Sequence, residues 1–121
     1  MSTQIPWVEN TEIALIRIEL YSVVIEALSR DSGNWISIGL NVDFQIYRSD
    51  EFSKYGVVKH SGSLPILWNL IGASIVSVEF DQGTLEIKLD VGAYISVEIE
   101  AERLEQVTFR RLGSNALEHL P

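Results

Sequence analysis

The chain has 121 residues, of which 46% are hydrophobic and 21% charged, and its 9 Lys+Arg against 17 Asp+Glu give a formal net charge of -8. That size and balance describe a single folded domain, residues 1–121, and exclude both a large multidomain enzyme and a globally disordered chain. The negative charge disfavours nucleic acid and anionic membrane surfaces as partners, and the absence of cysteine excludes disulfides, thiol catalysis and thiolate metal sites.

From the start of the chain, the stretch Met1 to Pro6 lacks the basic-then-apolar pattern of a secretory signal, and no apolar run approaches the roughly 20 residues of a spanning helix. A soluble cytoplasmic protein is the expectation. Asn10 or Thr11 is a candidate cap for a short helical stretch over Glu12 to Ile16. Beyond it the sequence repeats itself. Ile36 to Ile46 lies over Leu85 to Ile95 at a constant offset, with Ile38/Ile87, Leu40/Leu89, Val42/Val91 and Ile46/Ile95 identical in type. Upstream, Ser22-Val23 matches Ser77-Val78 after a six-residue length difference that falls in a turn. Repeat one is assigned to about residues 11–50, a linker to about 51–64, repeat two to about 65–101, and a C-terminal strand and tail to about 102–121.

In repeat one, Leu40 is expected to pair with Phe44 and Ile38 with Ile46 across a hairpin in which Asp43 takes the left-handed turn position. The linker holds a short strand candidate, Val57 to Lys59. Pro65 to Ile71, bounded by Gly72, reads as one or two helical turns. In repeat two, Val76, Val78 and Phe80 alternate with Ser77, Glu79 and Asp81, the period of two of a strand with one apolar face. Asp81-Gln82-Gly83 turns the chain. Leu85, Ile87 and Leu89 then run out to the loop Asp90-Val91-Gly92, and Ala93, Ile95, Val97 and Ile99 return, which pairs Leu89 with Ala93, Ile87 with Ile95, Leu85 with Val97 and Lys88 with Tyr94. Gln106 to Arg110 is a further strand candidate, and Ser114 to Pro121 reads as a poorly packed tail. The fold class is therefore mainly antiparallel β (α+β with short helical turns). It is a tandem duplication of a three-stranded meander, packed as a curled sheet, sandwich or open barrel.

A Leu70-Ile71-Gly72 segment, alternating apolar residues, a turn, Leu85-Glu-Ile-Lys-Leu-Asp90 with Gly92, and a further strand, given twice, resembles a family of short uncharacterised bacterial domains with two β-hairpin repeats. Some of these are encoded beside toxin genes, which implies an immunity-like role. Where the family pattern has a terminal tryptophan after the second repeat, this chain has Leu104 to Phe109. The family brings no catalytic residues with it.

The chemistry-bearing residues are few. His60, beside Ser61 in the linker, superficially offers a base next to a hydroxyl, but nothing in the sequence supplies an orienting third group, and it reads as an exposed linker histidine. His119 lies in the tail. With no His pair at helical spacing no metal site is expected, and no cofactor either, since no glycine-rich phosphate loop is present. Glu98, Glu100 and Glu102 share one face of a strand, read as a solvated face without calcium-loop geometry. The charge is uneven: Glu79, Asp81, Glu86, Asp90, Glu98, Glu100, Glu102 and Glu105 stand against only Lys88 and Arg103, so residues 76–106 carry six of the eight net negative charges. Tyr47 and Tyr94 point outward on their strands, Phe44 and Phe80 point inward, and Trp35 and Trp68 read as core or lid residues.

Two function classes follow. One is a noncatalytic binding protein that engages a basic protein partner through Glu86, Tyr94, Glu98, Glu100 and Tyr47. The other is a small-molecule binder or enzyme with a pocket between the repeats and the His60 linker as its lid. Exposed edge strands leave a homodimer open.

Overall fold

Alternating apolar residues make strands here almost throughout. The computed structural model describes residues 3–20, 22–48, 51–55, 69–100, 106–111 and 117–120. Its strands are β1 (Thr3–Gln4), β2 (Thr11–Glu19), β3 (Ser22–Ser29), β4 (Trp35–Leu40), β5 (Phe44–Arg48), β6 (Glu51–Tyr55), β7 (Ser74–Asp81), β8 (Thr84–Leu89), β9 (Ala93–Glu98), β10 (Val107–Arg111) and β11 (Leu117–Leu120), with a 3-10 turn at Pro6–Val8. All pair antiparallel in one sheet of order β11-β10-β4-β3-β2-β7-β8-β9-β5-β6, and β1 adds to β7 off this path. No helix among the described residues is long and apolar enough to cross a membrane.

A three-stranded meander occurs twice, as β2-β3-β4 and as β7-β8-β9, one strand out of step with the sequence repeat, which lays β3, β4 and β5 over β7, β8 and β9. The second copy has the expected register, with Leu85 opposite Val97, Ile87 opposite Ile95 and Lys88 opposite Tyr94. Its two turns follow local chemistry. Gln82 and Gly83 both take positive φ (51° and 79°), the conformation of a two-residue hairpin loop whose twist suits the flanking strands, and Gly92 (φ 74°) closes the three-residue loop after β8.

The first copy departs from expectation in two ways. The segment expected to be helical, Glu12 to Ile16, is part of β2. A bulge at Ala14 between Ile13 and Leu15 leaves the buried Ile13 and Ile16 three residues apart, a spacing that imitates a helical face. Val76 bulges in the same way between Ile75 and Ser77, which turns it outward to 52% exposure although simple alternation places it in the core. Thr11 caps no α-helix; its hydroxyl donates to the Val8 carbonyl oxygen at 2.7 Å and closes the 3-10 turn. Asn69 to Gly72 form a turn, while 65–68 and the Val57 to Lys59 strand candidate lie outside the described residues.

The second departure governs the architecture. β4 and β5 form no hairpin. Leu40 pairs with Val107 and Ile38 with Phe109 on β10, whereas Ile46 pairs with Ile95 on β9. Asp43 does not take positive φ, so the left-handed position of a three-residue hairpin goes unfilled. The chain crosses over instead, with Val42 buried in the core and the Asn41 N–H bonded to the Gln106 carbonyl at 2.9 Å. Each half thus lends its last hairpin to the other: β5-β6 extends β7-β8-β9, and β10-β11 extends β4-β3-β2. The junction of the halves is reciprocal too. Asn10 N–H bonds to the Ile75 carbonyl (2.9 Å) and Gly72 N–H to the Ile13 carbonyl (2.8 Å), and Asn10 and Gly72 are both left-handed.

The sheet curls so that one face buries a single cluster drawn from both halves, including Ile25, Ile38, Phe44, Ile46, Val78, Ile87, Ile95 and Phe109. One meander has no second layer to cover its apolar face; two, interlocked by exchanged hairpins, cover each other. The tail expected to be loose contains β11, which pairs with β10 from Val107–Leu120 to Arg110–Leu117. Trp35, expected in the core or as a lid, stands at the first position of β4 and is 40% exposed, and Trp68 lies outside the described residues.

Candidate partner-binding face

The crossing of β5 brings Tyr47 and Tyr94 together. They are Cα partners on β5 and β9, on the outer face of the second half's sheet. Their rings stack with centroids 4.9 Å apart and planes 16° from parallel. The Tyr47 hydroxyl donates to Gln45 Oε1 at 2.6 Å, which fixes the ring's outer end. Sequence alternation places both tyrosines outward but does not place them side by side, because it assigns β5 to a hairpin with β4. Only the pairing of β5 with β9 makes one aromatic platform of them.

The rows of outward residues around the platform follow from the register. One row runs Ser77, Lys88, Tyr94, Tyr47 across β7, β8, β9 and β5. The next, about 7 Å along the strands, runs Glu79, Glu86, Ser96, Gln45. A third holds Asp81, Thr84 and Glu98. Glu86 therefore lies one strand and one rung from Tyr94. Glu98 is two rungs below Tyr94 on the same strand. Glu100 continues that line past the end of β9, where the buried Gln106 side chain holds its backbone: Glu100 N–H donates to Gln106 Oε1 (2.9 Å) and Gln106 Nε2 donates to the Glu100 carbonyl (2.6 Å). Glu102, Glu105 and His60 lie outside the described residues. His119 stands on β11 opposite Thr108.

The two halves treat their carboxylates differently. In the first, Arg17 binds Glu19 (2.9 Å) and Glu26 (3.1 Å), and Arg30 binds Glu12 (2.8 Å). Hydrogen bonds to the two glutamates hold the Arg17 guanidinium above its ordinary pKa. Its bond to Glu19, followed by one from the Ser22 hydroxyl, holds the Glu19 carboxyl below the usual range. In the second, Glu86, Glu98 and Glu100 form no ion pair among the described residues, and Glu79, directly opposite Glu86, accepts a hydrogen bond from the Gln4 amide at 3.4 Å. Like charges opposed across strands cost stability. Across β7, β8, β9 and β5 the face sets the opposed Glu79 and Glu86 beside an aromatic pair, with Lys88 in the adjoining row and Lys54 of β6 continuing the Glu79–Gln45 row by register.

Among the described residues no group of three His, Asp or Glu side chains is placed to hold a metal ion. The core between the halves is apolar: its buried polar side chains, again among the described residues, are Thr11 and Gln106, both hydrogen-bonded to backbone carbonyl groups. No protein-family model, curated protein or solved structure matches this chain.

Proposed function

We propose that this chain is a noncatalytic binding protein that engages a basic protein partner through the outer face of β7, β8, β9 and β5. The observation that carries the reading is the cross-strand pair Glu79/Glu86 beside the Tyr47/Tyr94 stack. Glu12, Glu19 and Glu26 of the first half are paired with arginines, while Glu79 and Glu86 of the second stand opposed, and a cationic surface docked there would remove the repulsion. Tyrosines contribute contact area at low entropic cost and accept guanidinium or ammonium groups on their ring faces. An immunity-like role toward a basic toxin is the specific form implied by the family resemblance.

The test is capture of a partner from the native host by the tagged chain, with the triple charge reversal Glu86→Lys, Glu98→Lys, Glu100→Lys run in parallel. A basic protein retained stoichiometrically at low salt, released as salt rises, and lost by at least tenfold in the variant is the expected result. Retention of the same partner by a folded variant would falsify the reading. The competing idea, a ligand pocket in the core between the halves, would need inward polar side chains there, and among the described residues the buried polar ones are Thr11 and Gln106.

A further inference from the structure

The backbone repeats at one constant offset. The left-handed Asn10 and Gly72, the reciprocally bonded Ile13 and Ile75, and the bulges at Ala14 and Val76 occupy equivalent places. Followed through the register, this equivalence makes β2 to β6 one five-stranded unit and β7 to β11 the other. In each unit the first three strands pair with one another, while the last two sit on the opposite unit. We infer that Asn41-Val42-Asp43 is a topological switch. It selects this exchanged form over an unexchanged one in which each unit keeps its own last hairpin, β5-β6 beside β4 and β10-β11 beside β9.

The two hairpins are interchangeable by pattern. β5 reads Phe44-Gln45-Ile46-Tyr47-Arg48 and β10 reads Val107-Thr108-Phe109-Arg110-Arg111, and the first and third residues of both are buried. Ile46 stands opposite Ile95, and Phe109 opposite Ile38, on equivalent rungs of the two halves. Alternation fixes the buried face and not the neighbour, so trading the hairpins leaves the same residues facing inward.

The loop that decides between the forms occurs twice, with opposite outcomes. After Leu89, the triplet Asp90-Val91-Gly92 reverses the chain, with Val91 48% exposed and Gly92 at φ 74°. After Leu40, the triplet Asn41-Val42-Asp43 crosses over, with Val42 8% exposed and Asp43 outside the positive-φ region. A three-residue hairpin loop needs a left-handed last residue, which strains Asp and not Gly. Turning back would also carry Val42 out of the core. Both effects favour the crossing.

The crossing is latched as well. The Asn41 N–H bonds to the Gln106 carbonyl at 2.9 Å, and the buried Gln106 side chain holds the Glu100 N–H and carbonyl at 2.9 and 2.6 Å. The segment leaving β4 is thus tied to the segment entering β10, so the two hairpins change places together, a two-state element. In the unexchanged form Tyr47 stands opposite Ser37 and Tyr94 opposite Arg110, and the tyrosine stack is lost. The switch thereby decides whether the proposed partner face is built; that consequence rests on the binding reading, whereas the switch does not.

The test is NMR of the whole chain, wild type against Val42→Ser with Asp43→Gly, which removes the buried side chain and supplies the left-handed residue. Wild type should show cross-strand backbone NOEs that tie Ile46 to Ile95. In the variant these should give way to NOEs that tie Ile46 to Ile38, with loss of ring contacts between Tyr47 and Tyr94 and no dependence on protein concentration, since both forms are single chains. A folded variant that keeps the Ile46–Ile95 contacts, or one whose new contacts grow with concentration, would overturn the inference. Should the double variant fail to fold, Asp43→Gly alone serves, because residue 43 is exposed. A second set of β5 amide signals, in slow exchange and absent from wild type, is then expected, and a single set with wild-type NOEs overturns the switch. The NOEs are read with no partner present, so their outcome is separate from that of partner capture.

Discussion

Glu86→Gln is expected to make the protein more stable and a poorer binder. Glu79 and Glu86 are Cα partners on β7 and β8, and directly opposed side chains have Cβ atoms about 4.5–5.5 Å apart. With carboxylates about 6 Å apart in a water-like dielectric, the repulsion is about 0.7 kcal/mol, and screening at physiological salt reduces it by about half. Lys88, next on the same strand face, offsets a further part. The gain should be about 0.3 kcal/mol at physiological salt and about 0.7 kcal/mol at low salt, inside the range of roughly 0.2–1 kcal/mol for cross-strand pairs. In melting temperature that is roughly 1–3 °C for a domain of this size. Gln preserves the shape of the half-buried side chain, so packing is held constant. Urea unfolding monitored by circular dichroism at low and high salt measures both the gain and its screening. A loss of stability, or a gain as large in 1 M NaCl as in 20 mM, would show that the opposed charges are not under tension and would remove the argument that this face trades stability for binding.

The exchange of hairpins is open to a direct check because the chain has no cysteine. Ser37→Cys with Arg110→Cys, on Cα partners of β4 and β10, should cross-link on oxidation, whereas Ser37→Cys with Tyr47→Cys, adjacent only if β4 and β5 formed a hairpin, should not; mass spectrometry under non-reducing conditions distinguishes them. At Gly92, where a Cβ meets no atom within 4 Å but φ is 74°, Ala should cost about 1 kcal/mol through backbone strain alone and Asn distinctly less, read as a difference in urea midpoint. Phe109→Ala, which empties a fully buried site on β10 beside β4 of the first half, should cost about 3–5 kcal/mol in the same assay. Because the Glu19 carboxyl has its pKa lowered in the folded state, its contribution is present above the ordinary value of 4.5 and is lost as pH falls through the lowered one. Melting curves of wild type and Glu19→Gln should therefore differ at neutral pH and converge in acid.

Local chemistry was enough to establish a good deal of this protein. The alternation of β8 and β9, the turns at Gln82-Gly83 and Asp90-Gly92, the strand beginning at Val107 and the outward placement of Tyr47, Tyr94, Glu86 and Glu98 are all legible in the order of the residues. A side-chain period of two and a residue that tolerates positive φ are properties of short segments. Where a bulge intervened, at Ala14 and Val76, the same reasoning failed, because one extra residue converts alternation into a spacing of three.

Tertiary structure alone decided who pairs with whom. Ile38 and Leu40 carry the same pattern whether they face Ile46 and Phe44 or Phe109 and Val107, since alternation specifies a buried face and leaves the neighbouring strand open. The choice fell to the core: with Val42 drawn inward and no left-handed residue at Asp43, β5 crosses to β9, and each half covers the other. From that crossing comes the feature that bears on function: the Tyr47/Tyr94 stack needs a strand from each half.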